Sequence, residues 1–189
     1  TMAGAADRCV IPEHPFSMER LAELLTEDRR RNPSRYSVVL VSEGARMPDR
    51  EGMTFEDQRV DQFGHRKLGG IGDLVSARLK ELSPRFNSGK TINVVSQRLG
   101  YLVRSGDPDA VDSIVGMAFG NYALDLVQAR RFGRLVALIK GCYDSVPLET
   151  VTASKKVVSV EHHYDVERLR PSYRSFEGLP MFIMGWSDR

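Results

Sequence analysis

An α/β fold is the class this sequence predicts, and three observations predict it. Aliphatic runs of strand length stand at 8–13, 37–41, 91–95 and 134–139. Longer stretches with apolar residues at helical spacing lie between them, at 17–31, 71–83 and 107–131. The run at 37–41 is continuous rather than alternating, as in a strand covered on both faces. A β-α-β succession of this kind joins parallel strands through a right-handed crossover.

The first run, 8–13, is closed by Pro12. Ser17 is placed to cap a helix reaching Arg31, with Glu19 in the first turn and Leu21, Leu24 and Leu25 on one face. Arg29, Arg30 and Arg31 close that helix, where cations suit the negative dipole end, and read as a solvated terminus. Asn32-Pro33-Ser34 stops it. Residues 44–70 are polar, glycine-rich and weakly periodic, a long connection with room for a short hairpin. Gly69-Gly70-Ile71-Gly72 has the glycines of a phosphate cradle, but no strand leads into it. The favoured reading is glycines entering a helix over 71–83, with Leu74, Val75 and Leu79 inward.

Thr91 to Val95 reads as the next strand. Asp107-Pro108-Asp109 then reads as a helix start, with an aspartate as N-cap and proline at the first helical position. That helix, to about Arg131, places Val111, Ile114, Val115, Ala118, Tyr122 and Leu126 on an inner face and stops at Gly133. A further aliphatic strand follows at 134–139, and 147–158 has room for a helix. The stretch 161–189, rich in His, Tyr, Arg and Pro, is expected to pack as a tail on a domain spanning 1–160.

Composition narrows the function. A chain of 189 residues, 41% apolar, is enough for one domain with a real core. Lys and Arg number 27 against 25 acids, and the net charge of +2 gives no field for gripping nucleic acid or a membrane surface. No run of about 18 apolar residues exists, and the first residues lack a charged and an apolar signal region. A cytoplasmic location is expected. Cys9 and Cys142 both adjoin apolar strand-like runs and read as buried thiols in a reducing compartment. His162-His163 beside Tyr164-Asp165 has no Cys partner and no i, i+4 pairing, so it reads as solvated tail rather than metal site. Met2-Ala3-Gly4 reads as the end of a helix that begins upstream, which makes truncation the expectation.

The most informative stretch runs from Ser96 to Pro108. An apolar run ends there in a Gly-bearing turn with Arg98, Tyr101 and Arg104, then meets a helix start. Fixed cations at such a place suit a phosphorylated small molecule. An ordinary strand-to-helix loop with solvated arginines is the alternative on the chemistry alone. Ligands of open α/β sheets lie outside the carboxyl ends of the strands. Glu43 stands at the end of one aliphatic run, and Tyr101 and Arg104 lie just past the end of another. A carboxylate accepts hydrogen bonds from sugar hydroxyls, an arginine fork binds phosphate in bidentate fashion, and a phenol donates to a phosphate oxygen.

Gly100-Tyr101-Leu102-Val103-Arg104-Ser105-Gly106, followed by Pro108 and Asp112, resembles the sugar-phosphate loop of the 6-phosphofructokinases. That loop reads Gly-His/Tyr-x-x-Arg-x-Gly before a proline and an aspartate that open a helix. Ala5-Ala6-Asp7-Arg8-Cys9-Val10-Ile11-Pro12-Glu13 resembles an upstream strand of the same family, and Ser37-Val38-Val39-Leu40-Val41-Ser42-Glu43-Gly44-Ala45 resembles its next strand, which ends in Glu-Gly. Order and spacing agree over about residues 3–145. Three motifs in sequence are far more specific than one.

The resemblance implies a three-layer sandwich with a mostly parallel, Rossmann-like sheet, as in the C-terminal half of these enzymes. Their reaction passes a phosphoryl group from ATP or pyrophosphate to the 1-hydroxyl of fructose 6-phosphate, giving fructose 1,6-bisphosphate in glycolysis. It implies that Glu43 holds the ring hydroxyls and that Arg104, with Tyr101, holds the 6-phosphate. The family's donor-phosphate loops and proton-accepting aspartate fall before the first residue here. No catalytic residue is therefore expected in this chain, magnesium is expected to ride on donor phosphates held elsewhere, and the isolated chain is expected to be inactive. Homo-oligomerisation, or association with a donor-binding half, is expected as well. The other reading is a non-catalytic sugar-phosphate-binding or regulatory subunit that pairs with a separate donor-binding chain.

One position departs from the family. The arginine that relatives carry six residues before the His/Tyr position, reaching a neighbouring subunit's site, is Val95 here. Arg98, or Lys90 on the preceding loop, is left to supply that charge. The basic cluster that binds allosteric nucleotides in some bacterial relatives falls near Ser34-Arg35-Tyr36 and matches poorly, so regulation of that kind is not expected.

Overall fold

The computed structural model describes residues 5–47, 55–60, 66–68, 70–153 and 157–172. They form two compact units, one from the described parts of 1–98 and 158–174, the other from those of 99–157.

In the first unit, β1 (Arg8–Val10) runs parallel to β2 (Val39–Val41), with Arg8 opposite Val39 and Val10 opposite Val41. The crossover between them is α1 (Met18–Arg31), which begins where its pattern predicts. Ser17 is extended, and its hydroxyl accepts the Arg20 N–H at 3.2 Å. Met18, Leu21, Ala22, Leu24 and Leu25 are buried along the helix. A short antiparallel hairpin, β3 (Phe55–Val60) with β4 (Arg66–Leu68), lies within the long connection. It leads to α2 (Ile71–Phe86), whose N-cap Gly70 has φ 80°, a left-handed conformation that glycine adopts without steric cost. Val75, Leu79 and Leu82 of α2 are buried in one core with Val10, Phe16 and Leu21, while Leu74 is only half-buried.

The chain returns late to finish this core. After α5 (Val160–His163), β7 (Tyr164–Asp165) pairs antiparallel with β8 (Arg170–Pro171). The Cys9 N–H donates to the Leu169 carbonyl at 2.8 Å, and the Tyr164 hydroxyl donates to the Cys9 carbonyl at 2.6 Å. Tyr164 and Leu169 are buried members of the core, so Tyr164 is not the solvated tail residue its neighbours suggested. Burial, with Cys9 and Asp165 close by, raises the Tyr164 phenol well above the usual tyrosine range. Arg8 is buried as well. Its Nε and Nη2 donate to the two carboxylate oxygens of Asp28 at 2.6 and 2.7 Å, and Nη1 donates to the Arg168 carbonyl at 2.7 Å. The hydrogen bond to Asp28 raises the guanidinium pKa, against the opposing effect of burial.

The second unit opens with a 3₁₀ turn (Gly100–Arg104) and continues into α3 (Ala110–Gln128). Asp109, not Asp107, is the N-cap: its carboxylate accepts the Asp112 N–H at 2.9 Å. Pro108 therefore precedes the cap instead of opening the helix. The helix also ends earlier than Gly133 suggests. Arg130, at φ 54°, takes the left-handed position, and Arg131 N–H reaches back to the Leu126 carbonyl at 2.8 Å. Leu126 is buried and Val115, Ala118 and Tyr122 are half-buried, whereas Val111 and Ile114, expected on the same face, are exposed. β5 (Arg134–Ile139) and β6 (Cys142–Pro147) form a hairpin closed by Lys140 and Gly141, both at positive φ (52° and 82°), as a type I′ turn requires. A short α4 (Leu148–Ala153) follows.

Two further expectations are corrected, the strand at 91–95 and the burial of Cys142. Residues 91–99 form no strand: the Ile92 N–H donates to the Ser83 hydroxyl at 2.9 Å, and Val94 packs on the first core, so this run is held by α2 and not by a ladder. Among the described residues, β1–β2 is the only parallel pair and the other three pairings are antiparallel. Cys9 is buried, but Cys142, at the mouth of the type I′ turn, is exposed; both are free thiols. Helix–strand alternation with a parallel crossover places the chain in the α/β class. Among the described residues no helix is long and apolar enough to cross a membrane.

Candidate functional site

Glu43 is presented by a tight turn at the carboxyl end of β2. The Ser42 N–H donates to the Val10 carbonyl at 3.1 Å, carrying the parallel pairing one residue past the strand. The chain then reverses, with the Ala45 N–H donating to the Ser42 carbonyl at 2.9 Å. Ala45 is buried, which roots the turn, and Glu43 is left exposed at its tip. Gly44 seats the turn against β1: a Cβ there would lie 3.1 Å from Cγ of Pro12. The ends of β1 and β2 thus make one edge.

A second acid occupies that edge. Glu13 is half-buried, and its Oε1 accepts the Val158 N–H at 3.1 Å. Its Oε2 is sealed from solvent without a hydrogen-bond partner among the described residues. Glu13 ends the Ile11-Pro12-Glu13 run that follows β1. The available signal was its place just after β1, matching that of Glu43 after β2.

Arg98, also in the first unit, is exposed and lies 3.3 Å from the Asp73 carboxylate in the first turn of α2. Exposed pairs of this kind contribute at most about 1 kcal/mol. Val95 is exposed.

Tyr101 and Arg104 belong to the second unit, on the 3₁₀ turn, which begins with the Leu102 N–H donating to the Leu99 carbonyl at 2.8 Å. Tyr101 is 85% exposed, so its phenol is open to a ligand. The N-terminus of α3 already carries two carboxylates, Asp109 and Asp112. The dipole there is answered by the protein's own carboxylates. Among the described residues no group of three or more His, Cys, Asp or Glu could hold a metal ion.

The family model described as Phosphofructokinase matches residues 1–127, two-thirds of the chain. The chain belongs to the phosphofructokinase family. A pyrophosphate–fructose 6-phosphate 1-phosphotransferase of Amycolatopsis methanolica is 32% identical over 166 residues, covering 88% of this chain and 46% of that relative. One of the same name from Streptomyces coelicolor is 33% identical over 157 residues, 83% of this chain and 43% of its own length. An ATP-dependent 6-phosphofructokinase of Mycobacterium leprae is 31% identical over 164 residues, 87% and 45%. The chain thus spans less than half the length of these phosphofructokinase relatives. Both the Glu43 turn and the 3₁₀ turn fall inside the part matched by the family.

Proposed function

We propose that this chain supplies the sugar-phosphate side of a 6-phosphofructokinase. The reaction transfers a phosphoryl group from ATP or pyrophosphate to the 1-hydroxyl of fructose 6-phosphate. The observation that carries this reading is the Glu43 turn at the shared carboxyl edge of a parallel strand pair, in a chain of this family. Glu43 accepts hydrogen bonds from the ring hydroxyls. Arg104 takes the 6-phosphate as a bidentate cation, Tyr101 donates to the same phosphate, and Arg98 adds charge in place of the arginine absent at Val95. Phosphoryl transfer depends chiefly on positioning and charge, and these residues contribute the acceptor's position.

In the same reading the donor and its magnesium are bound by sequence outside these residues, and no step is assigned to the metal here. In the complete enzyme the β1–β2 pair is then part of a mostly parallel sheet, the middle layer of a three-layer sandwich. The enzyme is cytoplasmic and assembles as a homo-oligomer or through a donor-binding half.

The test is Arg104→Ala in the complete enzyme. Losing charge-assisted hydrogen bonds of about 1.5–3 kcal/mol raises the fructose 6-phosphate KM roughly tenfold to a hundredfold, with the donor KM nearly unchanged. Equal effects on both substrates would overturn the assignment. The purified 189-residue chain shows no transferase turnover with either donor; measurable turnover contradicts the division of labour.

A further inference from the structure

The edge that carries Glu43 holds the second carboxylate, Glu13, and nothing in the proposed chemistry uses it. Glu13 follows β1 as Glu43 follows β2, and the strands are parallel, so both acids lie at one end of the pair. One Glu13 oxygen grips the N–H of Val158, the residue at which the chain re-enters the first unit. The other is buried and unpartnered among the described residues. A buried acceptor in that state is unfavourable, and an apolar side chain would avoid the cost. Its neighbour suggests what the carboxylate is for. Pro12, directly before Glu13, is the ring on which Gly44 and hence the Glu43 turn are seated.

We propose that Glu13 is a positioning residue for the sugar site. Through the Val158 N–H it fixes the 12–13 backbone, and that backbone is the floor under the Glu43 turn. Glu13 touches no substrate; it acts through Pro12 and Gly44. The inference rests on the reading of Glu43 as a sugar-hydroxyl ligand. A small displacement of the Glu43 carboxylate weakens sugar binding and leaves the donor site alone.

The test compares Glu13→Ala, Glu13→Gln and Glu43→Gln in the complete enzyme, with fructose 6-phosphate and the donor varied separately. Glutamine keeps an oxygen for the Val158 N–H; alanine does not. Glu13→Ala is expected to raise the sugar KM about tenfold, with kcat and donor KM within about twofold, and Glu13→Gln to return the sugar KM to within about threefold of the parent. An equal rise in both KM values, or a glutamine variant as impaired as alanine, overturns the proposal. If Glu13→Ala yields no folded enzyme, Glu13→Asp, one methylene short of Val158, replaces it, and an unchanged sugar KM there overturns the proposal. Glu43→Gln separates the two levels. If it leaves the sugar KM unchanged, the reading of Glu43 falls; if it raises that KM while Glu13→Ala does not, only the role of Glu13 falls.

Discussion

Gly44 lacks a side chain because Pro12 leaves no room for one. The ring carbons of Pro12 lie 3.1 and 3.3 Å from where a Cβ would stand, and a proline ring has little freedom to give way. Gly44→Ala should therefore shift the turn by a few tenths of an ångström and cost about 1 kcal/mol of stability. Urea unfolding checks the cost, and a raised sugar KM in the complete enzyme checks the displacement of Glu43. A variant with parental stability and kinetics would show that the turn is not seated on Pro12. Tyr164 is tested through pH. Its raised pKa means that the phenol is neutral in folded and unfolded chains alike below about pH 10. Above that, the unfolded chain gives up the proton and the folded one keeps it. The unfolded state then binds fewer protons, so stability falls as pH rises. Tyr164→Phe loses the bond to the Cys9 carbonyl, at a cost of about 1 kcal/mol near neutral pH. Its deficit relative to the parent should shrink in alkaline solution, and a deficit constant from about pH 8 to 11 would contradict the assignment.

At the scale of elements, the hinge of the first unit is the Arg8–Asp28 pair, which fastens β1 to α1 and to the late carbonyl of Arg168. Asp28→Ala leaves a buried guanidinium with one partner and should cost about 3–5 kcal/mol in thermal or urea unfolding. A loss below about 1 kcal/mol would show that the pair is solvated in solution. The elements that were legible in the sequence are those whose signals are local. Ser17 and the Leu21, Leu24, Leu25 spacing define α1 without help from the rest of the chain. The 37–41 run likewise announces β2. The 91–95 run carries the same β-branched signal, but strand formation needs a neighbour. Here Ser83 takes the Ile92 N–H instead. Asp107 and Asp109, either side of Pro108, both offer a carboxylate to cap α3, and it is Asp109 that accepts the Asp112 N–H. The β5–β6 hairpin has a local signal too, Lys140-Gly141 between two strand-like runs. The positions of Glu43 after β2 and of Glu13 after β1 are local and readable, whereas the tie of Glu13 to Val158 joins residues far apart in the chain and has no local signal.

On the scale of the whole molecule, burial is unequally shared. Among the described residues, the first unit has a core of fifteen buried side chains, whereas in the second only Leu126 and Ser145 are buried. Amide hydrogen exchange on the 189-residue chain should find slow amides in α1 and along β1–β2, and faster exchange throughout α3. Equal protection of α1 and α3 would contradict that ordering. The first unit is discontinuous: β1 donates to the carbonyls of Leu169 and Arg168 and accepts from the Tyr164 hydroxyl. On a ribosome, β1 must therefore wait, half-dressed, until the stretch around 164–171 has emerged. Stalled nascent chains ending before Tyr164 should be cut readily by protease near Cys9, and chains extended well past Pro171 should resist.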